Sequence, residues 1–153
     1  MGNSHHHQTV NRLDRINGMT TGNRNARIGA DSLSAAQNLA DLGAQVIKVE
    51  RPQKGDDSRA YAPPYLKDES GKETRESAYF CAANRGKKSI TVNLSKPEGQ
   101  AIVRELAKQC DVLVENYKVG DLARYGLGYD DLKQDNPGLI YCSVTGFGQT
   151  GPD

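Results

Sequence analysis

"DSLSAAQNLADLGAQVIKVERP", residues 31–52, decides the fold. Asp31 or Ser32 can cap a helix, Leu33, Ala36 and Ala40 share one face of it, and Gly43 stops it. "QVIKVE", Gln45 to Glu50, follows at once as a short strand, which Arg51-Pro52 ends because proline cannot continue a ladder. Downstream the alternation repeats. Residues 52–78 read as a long polar loop holding Pro63-Pro64, of a length that is functional or mobile in a compact domain. "YFCAANRGKKSITVNL" reads as a turn entering a strand around Ser89–Leu94. "KPEGQAIVRELAKQC" is a helix with Ser95 or Lys96 near its cap, Pro97 in its first turn and Ile102, Val103, Leu106 and Ala107 as its apolar face. "DVLVE", Asp111 to Glu115, is the next strand. "VGDLARYG" and "YDDLKQDNP" are two short helices, stopped by Gly126 and Pro137, and "LIYCSVTG" is the last strand.

Strands alternating with helices imply crossover connections and a parallel sheet. "QVIKVE" and "DVLVE" lack polar alternation, as expected of strands covered on both faces. The fold class is therefore α/β, a Rossmann-like parallel sheet with flanking helices.

Composition constrains the rest. The 153 residues suit one domain, yet only 36% are hydrophobic, with no tryptophan and two phenylalanines. Mean hydropathy is −0.70. The core must be small and aliphatic, which suggests disordered ends or a fragment lacking partner segments. Residues 1–27 read as a disordered tail and 28–153 as a partial Rossmann-like domain. His5, His6 and His7 on that tail read as a tag or low-complexity stretch rather than a metal site. Twenty Lys and Arg against nineteen Asp and Glu leave a net charge of +1, so no field favours nucleic acid. No apolar run nears the ~20 residues a membrane span needs. Cys81, Cys110 and Cys142 form no C-x-x-C, which argues against zinc or disulfides and for a reducing compartment.

Ligands of an open parallel sheet gather at the carboxyl ends of its strands. There the chain carries Arg51; then Asn93 and Ser95; then Asn116, Tyr117, Lys118 and Arg124; and finally the loop "VTGFGQTG". Arginine and lysine beside exposed backbone N–H groups suit a phosphate-bearing ligand, and Tyr117 offers an aromatic face. Equally, surface Arg and Lys are ordinarily solvated, and Asn and Gly form turns after strands. A dinucleotide site is the nearest rival, since Glu50 lies about 20 residues after Gly29. But G-x-G-x-x-G is absent, Asp31 would repel a pyrophosphate, and no clear strand precedes Gly29. "GFGQTG" lacks the lysine of a phosphate loop, and the tail holds all the histidines a triad would need. Asp56-Asp57 and Asp130-Asp131 read as capping or solvated pairs.

Four segments in order, "LADLGAQVIKVERPQKGDDSR", "NRGKKSITVNLSKPEG", "CDVLVENYKVGDLARYGLGYDDL" and "NPGLIYCSVTGFGQTGP", resemble the N-terminal part of the class III CoA-transferases. That family includes formyl-CoA transferase, carnitine CoA-transferase and α-methylacyl-CoA racemase, and the closing stretch is most similar to its succinyl-CoA:glutarate branch. The resemblance covers roughly Gln37 to Pro152. It implies a larger Rossmann-like domain completed by later segments, an interlocked homodimer, and transfer of CoA between carboxylic acids, with acyl-CoA as substrate and no other cofactor. It also implies an aspartate nucleophile and an aspartyl-CoA thioester. By position, CoA contacts fall on Arg51, on Val92, Asn93, Leu94 and Ser95, on Asn116, Tyr117 and Lys118, and on Arg124. Lysine takes the place of Ser95 in formyl-CoA transferase.

Two departures stand out: the family's first strand and its Ala-Gly-Pro turn are not recognisable in residues 18–34, and the nucleophilic aspartate lies beyond "GFGQTGP". The expectation is an N-terminal fragment with no catalytic residue of its own and no metal, from an enzyme of the cytoplasm or mitochondrial matrix. The alternatives are a non-catalytic CoA- or nucleotide-binding module, a structural remnant, or, with least support, a piece of an NAD-dependent dehydrogenase.

Overall fold

The computed structural model describes residues 27–30 and 33–150. In chain order it contains β1 (Arg27–Ala30), α1 (Leu33–Asp41), β2 (Gln45–Glu50), a 3-10 turn (Asp57–Ala60), β3 (Tyr65–Lys67) and β4 (Glu73–Ser77). Then follow α2 (Ala78–Asn84), β5 (Lys88–Thr91), α3 (Pro97–Lys108), β6 (Val112–Glu115), α4 (Asp121–Arg124), α5 (Tyr129–Asp135) and β7 (Ile140–Ser143). The main sheet is parallel, in the order β5-β2-β1-β6-β7. Strand order reverses between β1 and β6, so the switch point of a doubly wound sheet lies there.

The central strand corrects the sequence reading. No first strand was expected and the tail was drawn to residue 27, yet Ile28 pairs with Val46 on one side and Val112 on the other. "RIGA" is four residues with one isoleucine, too short to show a period of its own. Its place comes from hydrogen bonding to two flanking strands, which local pattern does not report. Residues 1–26, the rest of the expected tail with its three histidines, lie outside the described residues.

β6 is buried at every position and divides the core. Val112 and Val114 face α1, packing with Ala36 and Val46, while Leu113 faces α3 to α5 among Ala107, Cys110, Leu122, Leu127, Leu132 and Leu139. Cys110 is thus a core residue. The apolar face of α3 is Val103, Leu106 and Ala107, continued past its end by Cys110, and the expected Ile102 lies half exposed outside it. No described helix is long and apolar enough to cross a membrane.

Three further expectations are revised. Residues 78–84, expected as a turn, are helical because the Ser77 hydroxyl accepts from Phe80 N at 3.1 Å and caps them. The strand expected over Ser89–Leu94 spans Lys88–Thr91. It stops there because the Asn93 side chain accepts from Ser95 N at 3.0 Å and its carbonyl from Lys96 N at 3.1 Å, turning the chain. The loop of residues 52–78 contains the 3-10 turn and an antiparallel hairpin of β3 and β4.

Gly99 packs the start of α3 onto that turn. A Cβ there would sit 2.1 Å from the Asn93 carbonyl oxygen, a backbone atom that cannot rotate aside. Gly99→Ala is expected to cost at least about 1–3 kcal/mol, read as a lowered thermal midpoint.

Candidate functional site

β2 and β6 deliver their carboxyl ends to one side of the sheet, flanking the switch point. A cleft of about 500 Å³ opens there, lined by Arg51 from β2's exit and by Asn116 and Tyr117 from β6's exit. Asp56, Asp57 and Ser58 form its side, and Tyr61 and Tyr79 stand at its rim. The two tyrosine rings are tilted against each other at 5.6 Å between centroids.

Each wall is held by chemistry the sequence supplies locally. Glu115, almost fully buried, accepts from Tyr117 N at 2.7 Å, which folds the "ENY" turn back over the end of β6. Asp56 accepts from Ser58 N at 2.7 Å and starts the 3-10 turn, so its reading as a capping residue holds. Asp57 accepts from the Arg51 guanidinium. Buried Glu50 accepts from Ser89 Oγ at 3.1 Å and lies 3.7 Å from Lys48 Nζ and 3.6 Å from Arg59 Nη2. Arg59 stacks on the Phe80 ring, 3.7 Å from its centroid.

The nine residues expected to touch a ligand do not form one cluster. Arg51, Asn116 and Tyr117 line the cleft. Lys118 lines a second cavity of about 570 Å³ between the ends of β6 and β7 and α5. Val92 is buried, with its N–H donating to Glu50 O at 2.9 Å. Leu94 packs against the α3-side core, while Asn93 and Ser95 are exposed at β5's exit. Arg124 is exposed at the end of α4 and pairs with Asp121 at 2.5 Å. Only three of the nine share the cleft. The sequence reading did not single out Ser58, Tyr61 or Tyr79, which lie in or beside the stretch read as loop, nor Lys48, which lies inside a strand.

Three cleft carboxylates, Glu50, Asp56 and Asp57, are each held in an ion pair. That argues against any of them as a free nucleophile. Glu50, whose spacing suited a ribose, is occupied by Lys48, Arg59 and Ser89 instead. Gly29, the glycine of that rival reading, lies inside β1. What the cleft offers is the Arg51 guanidinium, the Asn116 amide and the faces of three tyrosines.

Tyr141, on the wall of the second cavity, donates to Leu127 O at 3.2 Å. Burial pushes its phenol well above the ordinary value of 10.0, and the negative charges of Glu115 and Asp131 add to the rise. The folded chain therefore holds this proton after the unfolded chain has lost it. Stability from this group is complete below pH 10 and is lost as pH rises beyond it. Tyr141→Phe is expected to flatten the loss of urea resistance between about pH 10 and 11.

Residues 30–153 match the family model described as CoA-transferase family III. A succinate–glutarate CoA-transferase from Agrobacterium fabrum is 56% identical over 118 residues, covering 77% of this chain and 29% of that protein. The succinyl-CoA:glutarate CoA-transferase of Homo sapiens is 53% identical over 118 residues, covering 77% of this chain and 25% of that protein. Among solved structures, a CAIB/BAIF family protein from Brucella suis superposes with a TM-score of 0.73 at 49% identity, covering 83% of this chain and 34% of that one. The chain thus spans between a quarter and a third of the length of these curated relatives. With the family matched across the sheet and its carboxyl edge, this chain belongs to CoA-transferase family III.

Proposed function

We propose that this chain is the CoA-binding part of a transferase that moves CoA between carboxylic acids, with a four- or five-carbon dicarboxylate pair as substrates. Membership of the family supports the CoA chemistry, and the names of relatives more than half identical to this chain support the choice of acids. The observation that carries the reading is the convergence of Arg51, Asn116 and Tyr117 on one cleft at the switch point.

Arg51 has five N–H donors and spends few of them on Asp57, so it can also hold a phosphate of the CoA nucleotide. Asn116 would border the nucleotide, and Tyr117 would present a ring to the base or the pantetheine arm. Asn93 and Ser95 past β5, and Lys118 and Arg124 past β6, would meet the ligand's ends. The family resemblance assigns the acyl step to an aspartate that attacks the donor thioester. That aspartate has no counterpart among the paired carboxylates of this cleft. The chain by itself therefore binds CoA without transferring it, and in a full-length family member the site would work within an interlocked homodimer.

Titration calorimetry of the 153-residue chain with CoA tests this. Saturable binding is expected, weakened roughly tenfold or more by Arg51→Ala, the worth of a charge-assisted hydrogen bond. No heat at millimolar CoA, or tight binding of NAD with indifference to CoA, would overturn the reading. CoA transfer from succinyl-CoA to glutarate by this chain would sink the division of labour.

A further inference from the structure

We infer that Lys48 and Asp56 are positioning residues for the cleft: the buried ammonium of β2 fastens the loop of residues 51–60 and thereby sets where Arg51 meets its ligand. The inference rests on the CoA reading above.

Lys48 is 3% exposed, an unusual place for a lysine. Its ammonium bonds Asp56 and donates to Asn84 Oδ1 at 2.7 Å, with Glu50 Oε1 at 3.7 Å and the Phe80 centroid at 5.0 Å. A buried ion pair seldom adds more stability than a well-packed apolar side chain would. What this one does add is a single address for the loop. Asp56 reaches Lys48 with one carboxylate oxygen and caps Ser58 N with the other, so it fixes residues 56–58 against β2. The neighbouring Asp57 accepts from the Arg51 guanidinium. Gly55 N closes the loop on Arg51 O at 2.9 Å, and a Cβ on Gly55 would lie 2.9 Å from Glu50 Oε2, so the loop is pressed onto the network. Contacts therefore run unbroken from Lys48 through Asp56 and Asp57 to Arg51. The adjacent aspartates divide the work, the first as anchor and the second as the hold on the guanidinium.

Lys48→Met endangers the fold, so Asp56→Asn carries the test. Asparagine keeps an oxygen to cap Ser58 N and removes only the charge that Lys48 grips. In the free chain, amide hydrogen exchange of residues 51–60 is expected to quicken about tenfold while β6 is unchanged. CoA affinity by calorimetry is expected to fall about tenfold, as when one charge-assisted contact is lost. In an Arg51→Ala background the same substitution is expected to change affinity less than about twofold, because the anchor acts through Arg51. Unchanged loop exchange, full CoA affinity in Asp56→Asn, or losses that simply multiply would each overturn the proposal. If the unaltered chain takes no CoA, the reading of the cleft fails instead, and loop exchange alone then decides whether Lys48 and Asp56 anchor the loop.

Discussion

Lys48→Met is expected to cost the chain about 3–5 kcal/mol, the range for removing one partner from a buried ion pair. The methionine would fill most of the lysine's volume, so lost packing is a small part of that figure. The larger part is electrostatic. Asp56 and Glu50 have side chains only 11% and 5% exposed, and both would lose the nearby positive charge that offsets their desolvation. Arg59 remains beside Glu50 at 3.6 Å, but Asn84 is neutral and cannot replace the ammonium at Asp56. Against a total stability of roughly 5–15 kcal/mol for a domain, such a loss leaves little margin. Urea unfolding at neutral pH measures it, and a shift under about 1 kcal/mol would mean that water reaches the pair and screens it.

Leu132→Ala is expected to cost about 2–5 kcal/mol, the range for emptying a fully buried leucine site. Leu132 is wholly inaccessible and packs α5 onto the core built by Ala107, Leu122, Leu127 and Leu139. α5 has seven residues, far fewer than an isolated helix needs to persist in water. Its other ties include Asn136, whose side-chain amide donates to Cys110 O at 2.8 Å and Ala107 O at 3.0 Å, and Asp135, which pairs with Arg104 of α3 at 3.5 Å across a partly exposed gap. Losing the leucine leaves only these polar contacts between α5 and α3 in place of the packed core. The wall of the Lys118 cavity should loosen with it, visible as a lower urea midpoint and weaker near-ultraviolet tyrosine dichroism. A variant as stable as the parent would show that Leu122 and Leu127 collapse into the space.

Legibility in the sequence followed how locally each feature is encoded. Gln45–Glu50 was read to the residue because β-branched Val46, Ile47 and Val49 lie between Gly43 and Pro52. The helices of residues 97–108, 121–124 and 129–135 were read because Pro97, Gly126 and Pro137 punctuate them. β1 was missed because its strand character comes from its neighbours' hydrogen bonds. α2 was missed because its one start signal, Ser77, lay inside a polar stretch read as loop. Arg51, Asn116 and Tyr117, which line the cleft, were legible as candidates because each follows the exit of a parallel strand. Lys48 was invisible for the opposite reason: in a strand, a lysine normally marks a solvent-facing position. Its burial depends on Asp56 and Asn84, which are eight and thirty-six residues away.

Amide chemical-shift mapping during a CoA titration of the isotope-labelled chain tests the central claim most directly. Arg51, Ser58, Asn116 and Tyr117 are expected to shift together and saturate together, while the α3 face of the sheet stays unchanged. Shifts confined to other surfaces, or none at saturating CoA, would contradict it.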